Sequence, residues 1–290
     1  MRIGIQQSTI NSTSLAKGFA IASKAQAEGI GISVPSMRAM IDLGRQDYAK
    51  DLRSLAHAYD LELVNLHLGC LSEDPSLIGQ GREMSGGLAV VRMGLWVAAE
   101  AGIPTVIAPF QGRNRIEFLH EQRQAEKAIA ELAGEAEQVG VTLAIETDLP
   151  SEQVRAMLGY AASDNVEIAL NTGHIHAHRL ELAGMVRELA DRVDQVHAKD
   201  VVLAPRMAPE FNIRLGRGDV DFGTVIRTLR AIGFNGWINV DAPPGDDDGQ
   251  IAAANIAFIH GLLNGLDWLA TKLVRARAGV VAPAEELTPA

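Results

Sequence analysis

The chain of 290 residues contains one cysteine, Cys70. A lone thiol excludes an internal disulfide framework and suits a reducing cytoplasm, where it serves as a small buried hydrophobe. Long apolar runs are missing as well. The N-terminus MRIGIQQSTI has no signal-peptide stretch, and nowhere do about 18 uncharged apolar residues follow one another. No membrane span is expected, and the protein reads as cytoplasmic. Clusters of Lys and Arg are also absent, and 26 basic residues face 36 acidic ones for a formal charge of -10. That balance argues against a nucleic-acid or anionic-membrane surface and leaves small molecules as the expected partners. No Gly-rich phosphate turn follows the first predicted strand. QQSTINSTS stands in its place, which weighs against an open dinucleotide-binding sheet.

What the chain does have is alternation. Eight short strand candidates cover residues 2–7, 30–34, 63–69, 105–110, 142–148, 166–173, 194–200 and 236–243. Between them lie helical patterns such as RIEFLHEQRQAEKAIAELAGEAEQVG, with Leu, Ala and Ile recurring on one face. Gly29, Gly102, Gly140 and Gly233 read as helix stops before strands. Eight βα units in about 250 residues predict an α/β fold, a single closed (β/α)8 TIM barrel, over residues 1–272. The remainder, 273–290, loses periodicity and is expected to be a frayed end or a subunit-contact arm. PPGDDDG at 243–249 reads as a solvated acidic loop.

A barrel gathers its reactive groups where strands end and βα loops begin. Gln6, His67, Glu146, Asn171, His174, His197, Lys199, Asp200 and Asp241 all fall there. A charge at such a place, pointed into the packed interior, would cost several kcal/mol. Glu146, Asn171, His197 and Asp241 come from four consecutive strands and offer three oxygens and a nitrogen, a donor set for a hard or borderline divalent ion. ALNTGHIHAHRL, with His174, His176 and His178, reads as the end of strand six and a polar loop. A metal site made of these histidines alone is disfavoured.

The fragments LAIETD, IALNTGHIH, QVHAKD and RLGRGDVDFGTVIRTLRAIGFNGWINVD, in this order and at these strand ends, resemble the xylose isomerase-like TIM barrels. That superfamily holds sugar isomerases and epimerases, hydroxypyruvate isomerases, inosose and dehydroshikimate dehydratases and metal-dependent AP endonuclease relatives. The resemblance covers about residues 1 to 265. It implies a divalent metal, Mn2+ first with Mg2+, Co2+ or Zn2+ as alternatives, held by Glu, Asp, His and Glu on strands five to eight. Glu146 and His197 match, whereas Asn171 stands where the Asp is expected and Asp241 where the second Glu is expected.

Both departures have physical consequences. An amide oxygen carries no charge, so the metal is expected to bind loosely. Asp241 is one methylene short, which draws its carboxylate back by about 1.5 Å, and a misplacement of about 1 Å can cost about 100-fold in rate. By the resemblance, Glu146 and Asp241 are the catalytic pair, with Glu146 the base. His67, His174, Lys199 and Arg217 are candidates for binding substrate oxygens. Gly216 and Gly218 let their loop pack near the pocket, and Asp200 is expected to orient a neighbouring ligand or lysine. The implied function is a metal-dependent isomerase or epimerase of a small keto sugar or related polyhydroxy carbonyl compound. A dehydratase-type lyase on a keto sugar or keto-inositol is the first alternative; a metal-depleted barrel binding a sugar or a partner is the second. A homodimer or homotetramer is implied by the resemblance only.

Overall fold

The computed structural model describes residues 1–12, 14–245 and 249–277. Eight parallel strands, β1 (Arg2–Gln6), β2 (Gly29–Ser33), β3 (Glu62–His67), β4 (Thr105–Pro109), β5 (Thr142–Glu146), β6 (Val166–Asn171), β7 (Val193–Ala198) and β8 (Trp237–Val240), follow one another around a closed barrel. Closure is made by β1 on β8, with Arg2 beside Trp237 and Ile5 beside Val240. Among the described residues ten α-helices connect and cover them: α1 (Leu15–Lys24), α2 (Met37–Leu43), α3 (Tyr48–Tyr59), α4 (Arg82–Ala101), α5 (Leu119–Val139), α6 (Ser151–Ala161), α7 (Thr172–Ala177), α8 (Leu182–Glu188), α9 (Phe222–Ala231) and α10 (Gln250–Arg277).

Successive side chains on a strand point to opposite faces, so each strand serves two packings. The outward set, including Ile3, Ile5, Ile30, Ile32, Leu66, Val106, Leu143, Ile145, Ile168 and Ile238, meets Phe19, Leu52, Val91, Leu132, Val154 and Ile256 from the helices in one large apolar core. Cys70 belongs to it, and burial pushes its thiol up to about 11, as suits a hydrophobe rather than a nucleophile. Helices α4 and α5 stop at Gly102 and Gly140, whose φ angles of 73° and 67° a side chain would strain.

Two strands carry an extra residue. Between Ile168 and Ala169 of β6 the register on β7 jumps from Val193 to Gln195, leaving Asp194 as the residue of a bulge. Between Ile30 and Ile32 of β2, β3 runs from Leu63 to Leu66. Helix α10 continues past Lys272, where the barrel domain was expected to end, and residues 278–290 of the expected tail lie outside the described residues, as do Asp246–Asp248 of the acidic loop. Among the described residues no helix is long and apolar enough to cross a membrane.

Candidate active site

The inward set of side chains makes the site. Gln6, His67, Glu146, Asn171 and His197 are at the C-terminal ends of β1, β3, β5, β6 and β7, with Asp241 just after β8. Glu146 lies at the centre, buried at 1% exposure. Its Oε1 accepts from Gln111 Nε2 at 2.6 Å and from Asn171 Nδ2 at 3.3 Å, and has His67 Nε2 at 3.9 Å. Its Oε2 lies 2.7 Å from His197 Nδ1. Burial alone would raise this carboxyl, but the imidazoles of His197 and His67 outweigh it and hold Glu146 well below the usual carboxylate range. It is ionised at neutral pH.

Across the mouth, Lys199 Nζ donates to Asp241 Oδ2 at 2.8 Å. Burial would favour a neutral amine, yet Asp241 raises Lys199 above its ordinary value, so the ammonium persists. Asp241 is lowered in turn, Lys199 overcoming its burial. Lys199 is fixed from behind by Thr172, whose Oγ1 accepts from the Lys199 backbone N–H and donates to its carbonyl. Gly173 leaves the room for that approach, since a Cβ there would press on the Lys199 side chain and carbonyl.

Asn171 behaves differently from the expectation. Its Oδ1 accepts from His174 N at 3.2 Å and caps α7, which turns its Nδ2 toward Glu146 Oε1 and toward Asp241 Oδ2 at 3.5 Å. In this arrangement Asn171 presents N–H hydrogens, not a lone pair, to the centre. The polar loop expected after strand six is the short helix α7, started by that cap. His174 stacks on Phe211 with ring centroids 4.8 Å apart, and burial lowers its pKa, which favours the neutral imidazole. His178 is tied to Asp148 Oδ2 at 3.1 Å and to the His174 carbonyl.

Arg217 is exposed on the loop after β7, and no hydrogen bond or ion pair among the described residues joins its guanidinium to the cluster. Asp200, expected to orient a ligand or lysine, does something else: its buried carboxylate accepts the backbone N–H groups of Val201, Gly216, Gly218 and Val220. Gly218 has no side chain because a Cβ would meet Asp200 Oδ1 and the Val201 carbonyl.

A divalent ion fits part of this arrangement. His67, Glu146 and His197 bring three ligand atoms within 4.8 Å of one another. Glu146 Oε2 is buried without an aligned hydrogen-bond donor despite the nearness of His197. A carboxylate whose two oxygens face ring nitrogens, Oε1 toward His67 and Oε2 toward His197, is a donor set that a borderline cation can take. Of the four ligands implied by resemblance, Glu146 and His197 enter this cluster, His67 joins them, and Asn171 and Asp241 are engaged as described.

Sequence reasoning placed Gln6 at the rim but missed Gln111 and the chain of amides that joins Gln6 beneath the cluster. Gln6 Nε2 lies 2.9 Å from both His197 Nε2 and Asn65 Oδ1. Asn65 Nδ2 donates to Gln195 Oε1 at 2.7 Å, and Asn239 Nδ2 donates to the same oxygen at 2.6 Å. All four amide residues are buried. The available signal was spacing: Asn65, Gln195 and Asn239 each stand two residues before His67, His197 and Asp241, hence on the same face.

Fold and mouth together define a (β/α)8 barrel with a buried carboxylate, imidazoles and an ammonium at its C-terminal rim. The chain belongs to the xylose isomerase-like TIM barrel family, whose model matches residues 19–262. Among solved structures it is similar to an L-ribulose 3-epimerase, at 18% identity and TM-score 0.76 over 99% of both chains. It is also similar to D-allulose 3-epimerase from Methylomonas sp., at 18% identity and TM-score 0.73 over 90% of this chain and 98% of that one. A third is 3-keto-D-glucoside 4-epimerase from E. coli, at 16% and 0.71 over 90% and 99%. At such identities the likeness speaks for the fold. No functionally curated protein matches the sequence.

Proposed function

We propose that this protein is an isomerase or epimerase of a small keto sugar or related polyhydroxy carbonyl compound, with Glu146 as the base. The observation that carries this reading is an ionised, buried carboxylate within one mouth with a persistent ammonium, Lys199. Glu146 removes a proton from the carbon alpha to the carbonyl, and the electron pair moves onto the carbonyl oxygen as an enediolate. Lys199 stabilises that oxygen as charge develops, and Asn171 and His174 orient neighbouring hydroxyls. In an epimerase the proton then returns to the same carbon from the opposite face; in an isomerase it returns to the adjacent carbon while the hydroxyl proton passes to the former carbonyl oxygen. When bound at His67, Glu146 and His197, a divalent ion, Mn2+ first with Mg2+, Co2+ or Zn2+ as alternatives, supplies Lewis acidity to the carbonyl. A cavity of about 480 Å³ beside the rim, whose lining mixes Gln7, Ser8, Ser33 and Arg45 with the apolar Ile10 and Leu15, offers hydrogen-bonding groups for the hydroxylated remainder of a substrate. The similarity to structures named as sugar 3-epimerases and a ketoglucoside 4-epimerase supports the substrate class.

The Lys199–Asp241 bond favours a second reading. Two equivalent bases suit epimerisation, but here one carboxylate is neutralised by an ammonium and the other is not. Such asymmetry serves a dehydratase-type lyase, in which Glu146 takes the alpha proton and Lys199 protonates the departing beta hydroxyl, which leaves as water. Incubation with keto sugars and keto-inositols in deuterated water with added Mn2+ tests both. Alpha-proton exchange is expected, with loss of exchange by about 10²- to 10⁴-fold in Glu146→Gln. Undiminished exchange in that variant removes Glu146 from the mechanism. No exchange with any such compound, in a protein that still binds them, makes the barrel a sugar-binding protein.

A further inference from the structure

The amide chain under the site has a direction, and its far end sets it. Asp194 is aimed into the barrel floor by the β7 bulge, where Thr105 Oγ1 donates to its Oδ1 at 3.3 Å and Gln195 Nε2 donates to its Oδ2 at 2.5 Å. A carboxylate only accepts. Gln195 must therefore turn its NH2 down to Asp194 and its oxygen up, where that oxygen receives the N–H groups of Asn65 and Asn239. Asn65, having given its NH2 to Gln195, turns its oxygen to Gln6. Gln6 answers with its NH2, and the second hydrogen of that group points at His197 Nε2, 2.9 Å away. Gln6 Oε1 is left buried without a partner against Gly31, where a side chain would collide with it.

A ring nitrogen facing an N–H donor must accept, so the proton of His197 resides on Nδ1. Histidines that hold metal ordinarily show the opposite pattern: the nitrogen away from the ion donates to an oxygen, which leaves the ligating nitrogen its lone pair. In His197 it is Nδ1 that faces Glu146 and the candidate ion position.

We propose that Asp194 is a positioning residue: through Gln195, Asn65 and Gln6 it holds His197 in the Nδ1-protonated tautomer and thereby restrains the site's grip on a divalent ion. Binding the ion requires every amide of the chain to turn over, against the preference of the carboxylate at its foot. The claim about the ion rests on the reading of His67, Glu146 and His197 as its ligands, whereas the claim about the tautomer stands on the hydrogen bonds alone.

The test is nitrogen-15 NMR of the imidazoles in ion-free protein, with His197 assigned by its absence in His197→Asn. The expected spectrum has a pyrrole-type Nδ1 and a pyridine-type Nε2 at His197. In Asp194→Asn the foot of the chain can meet Gln195 as donor or acceptor, so the share of the Nε2-protonated form rises and Mn2+ affinity, read by calorimetry or electron paramagnetic resonance, tightens about tenfold. Gln6→Met, of similar length and without the N–H, moves both readouts the same way and serves if Asp194→Asn does not fold. A wild-type His197 protonated on Nε2, or on both nitrogens, overturns the proposal, as does a tautomer indifferent to both substitutions. A shifted tautomer with unchanged or absent Mn2+ binding overturns its claim about the ion. Failure of the sugar exchange experiment would leave the tautomer result untouched and would count against the functional reading alone.

Discussion

Between strands and helices the packing is dominated by Ile, Leu, Val, Phe and Ala, from Ile3 and Phe19 to Ile256 and Ile259. Inside the barrel the apolar cluster is three residues, Ile107, Ala144 and Ala169, and much of the rest is amide: Gln6, Asn65, Gln195 and Asn239. The two regions share the same strands, whose side chains alternate between the outward and the inward face. Apolar packing is tolerant of order, since any well-fitted hydrocarbon contributes about 25 cal/mol per Å² buried. An amide chain is not tolerant, because each member must show the right group to the next or leave a buried donor unpaired at about 1–3 kcal/mol. The outer region makes the barrel stable; the inner one makes its mouth specific in proton placement.

This contrast can be broken from the outside first. Phe19→Ala opens a hole in the outer core and is expected to cost about 3–5 kcal/mol of stability in denaturant unfolding, while turnover per folded molecule stays within about twofold. A collapse of turnover at full folding would mean that the outer core also tunes the site. From the inside, Lys199→Met should add to a stability cost of about 1–3 kcal/mol, from the Asp241 carboxylate left without its partner, a loss of about 10²- to 10³-fold in turnover per folded molecule, as expected for one lost charge-stabilising donor. A large stability loss and unaltered turnover would make the Lys199–Asp241 bond structural.

The smallest effect sharpens the contrast at the barrel floor. Burial and the neighbouring Asp194 carboxylate push Glu167 up to about 7. Because the folded state then holds a proton that the unfolded state releases near pH 4.5, stability should decline as pH rises from about 4.5 to about 7 and level off above. Glu167→Gln should flatten that part of the profile, as read by urea unfolding at pH 5 and pH 8. The group is partly solvated, so the change is modest. An unaltered slope in the variant would place the titration elsewhere.

Strand positions were legible because a parallel strand buried on both faces writes itself as a short apolar run, and the barrel follows from counting eight of them with helices between. Convergence of Glu146 and His197 followed from that frame. Helix α7 was not legible: Thr172, Gly173 and two histidines are poor helix formers, and the turn exists because Asn171 caps it and Thr172 locks it to Lys199. The same cap explains why Asn171 could not be judged a ligand or a donor from its type, since the choice depends on which end of one amide meets His174 N. Asp194 was hidden more deeply. In an unbulged strand Asp194 would point away from Gln195 and His197, and a bulge leaves no signature in VDQVHA. Arg217 was drawn toward the site by its loop, but reach and position are different properties in a long side chain.

The four backbone N–H groups that converge on Asp200 have a mechanical consequence. Gly216 and Gly218, on either side of Arg217, are fastened to a single oxygen, so the turn between them is staked to the barrel rim rather than hung over it. With the main chain held on both sides of it, the exposed Arg217 moves by its own side-chain torsions, on picoseconds to nanoseconds, with no excursion of the backbone.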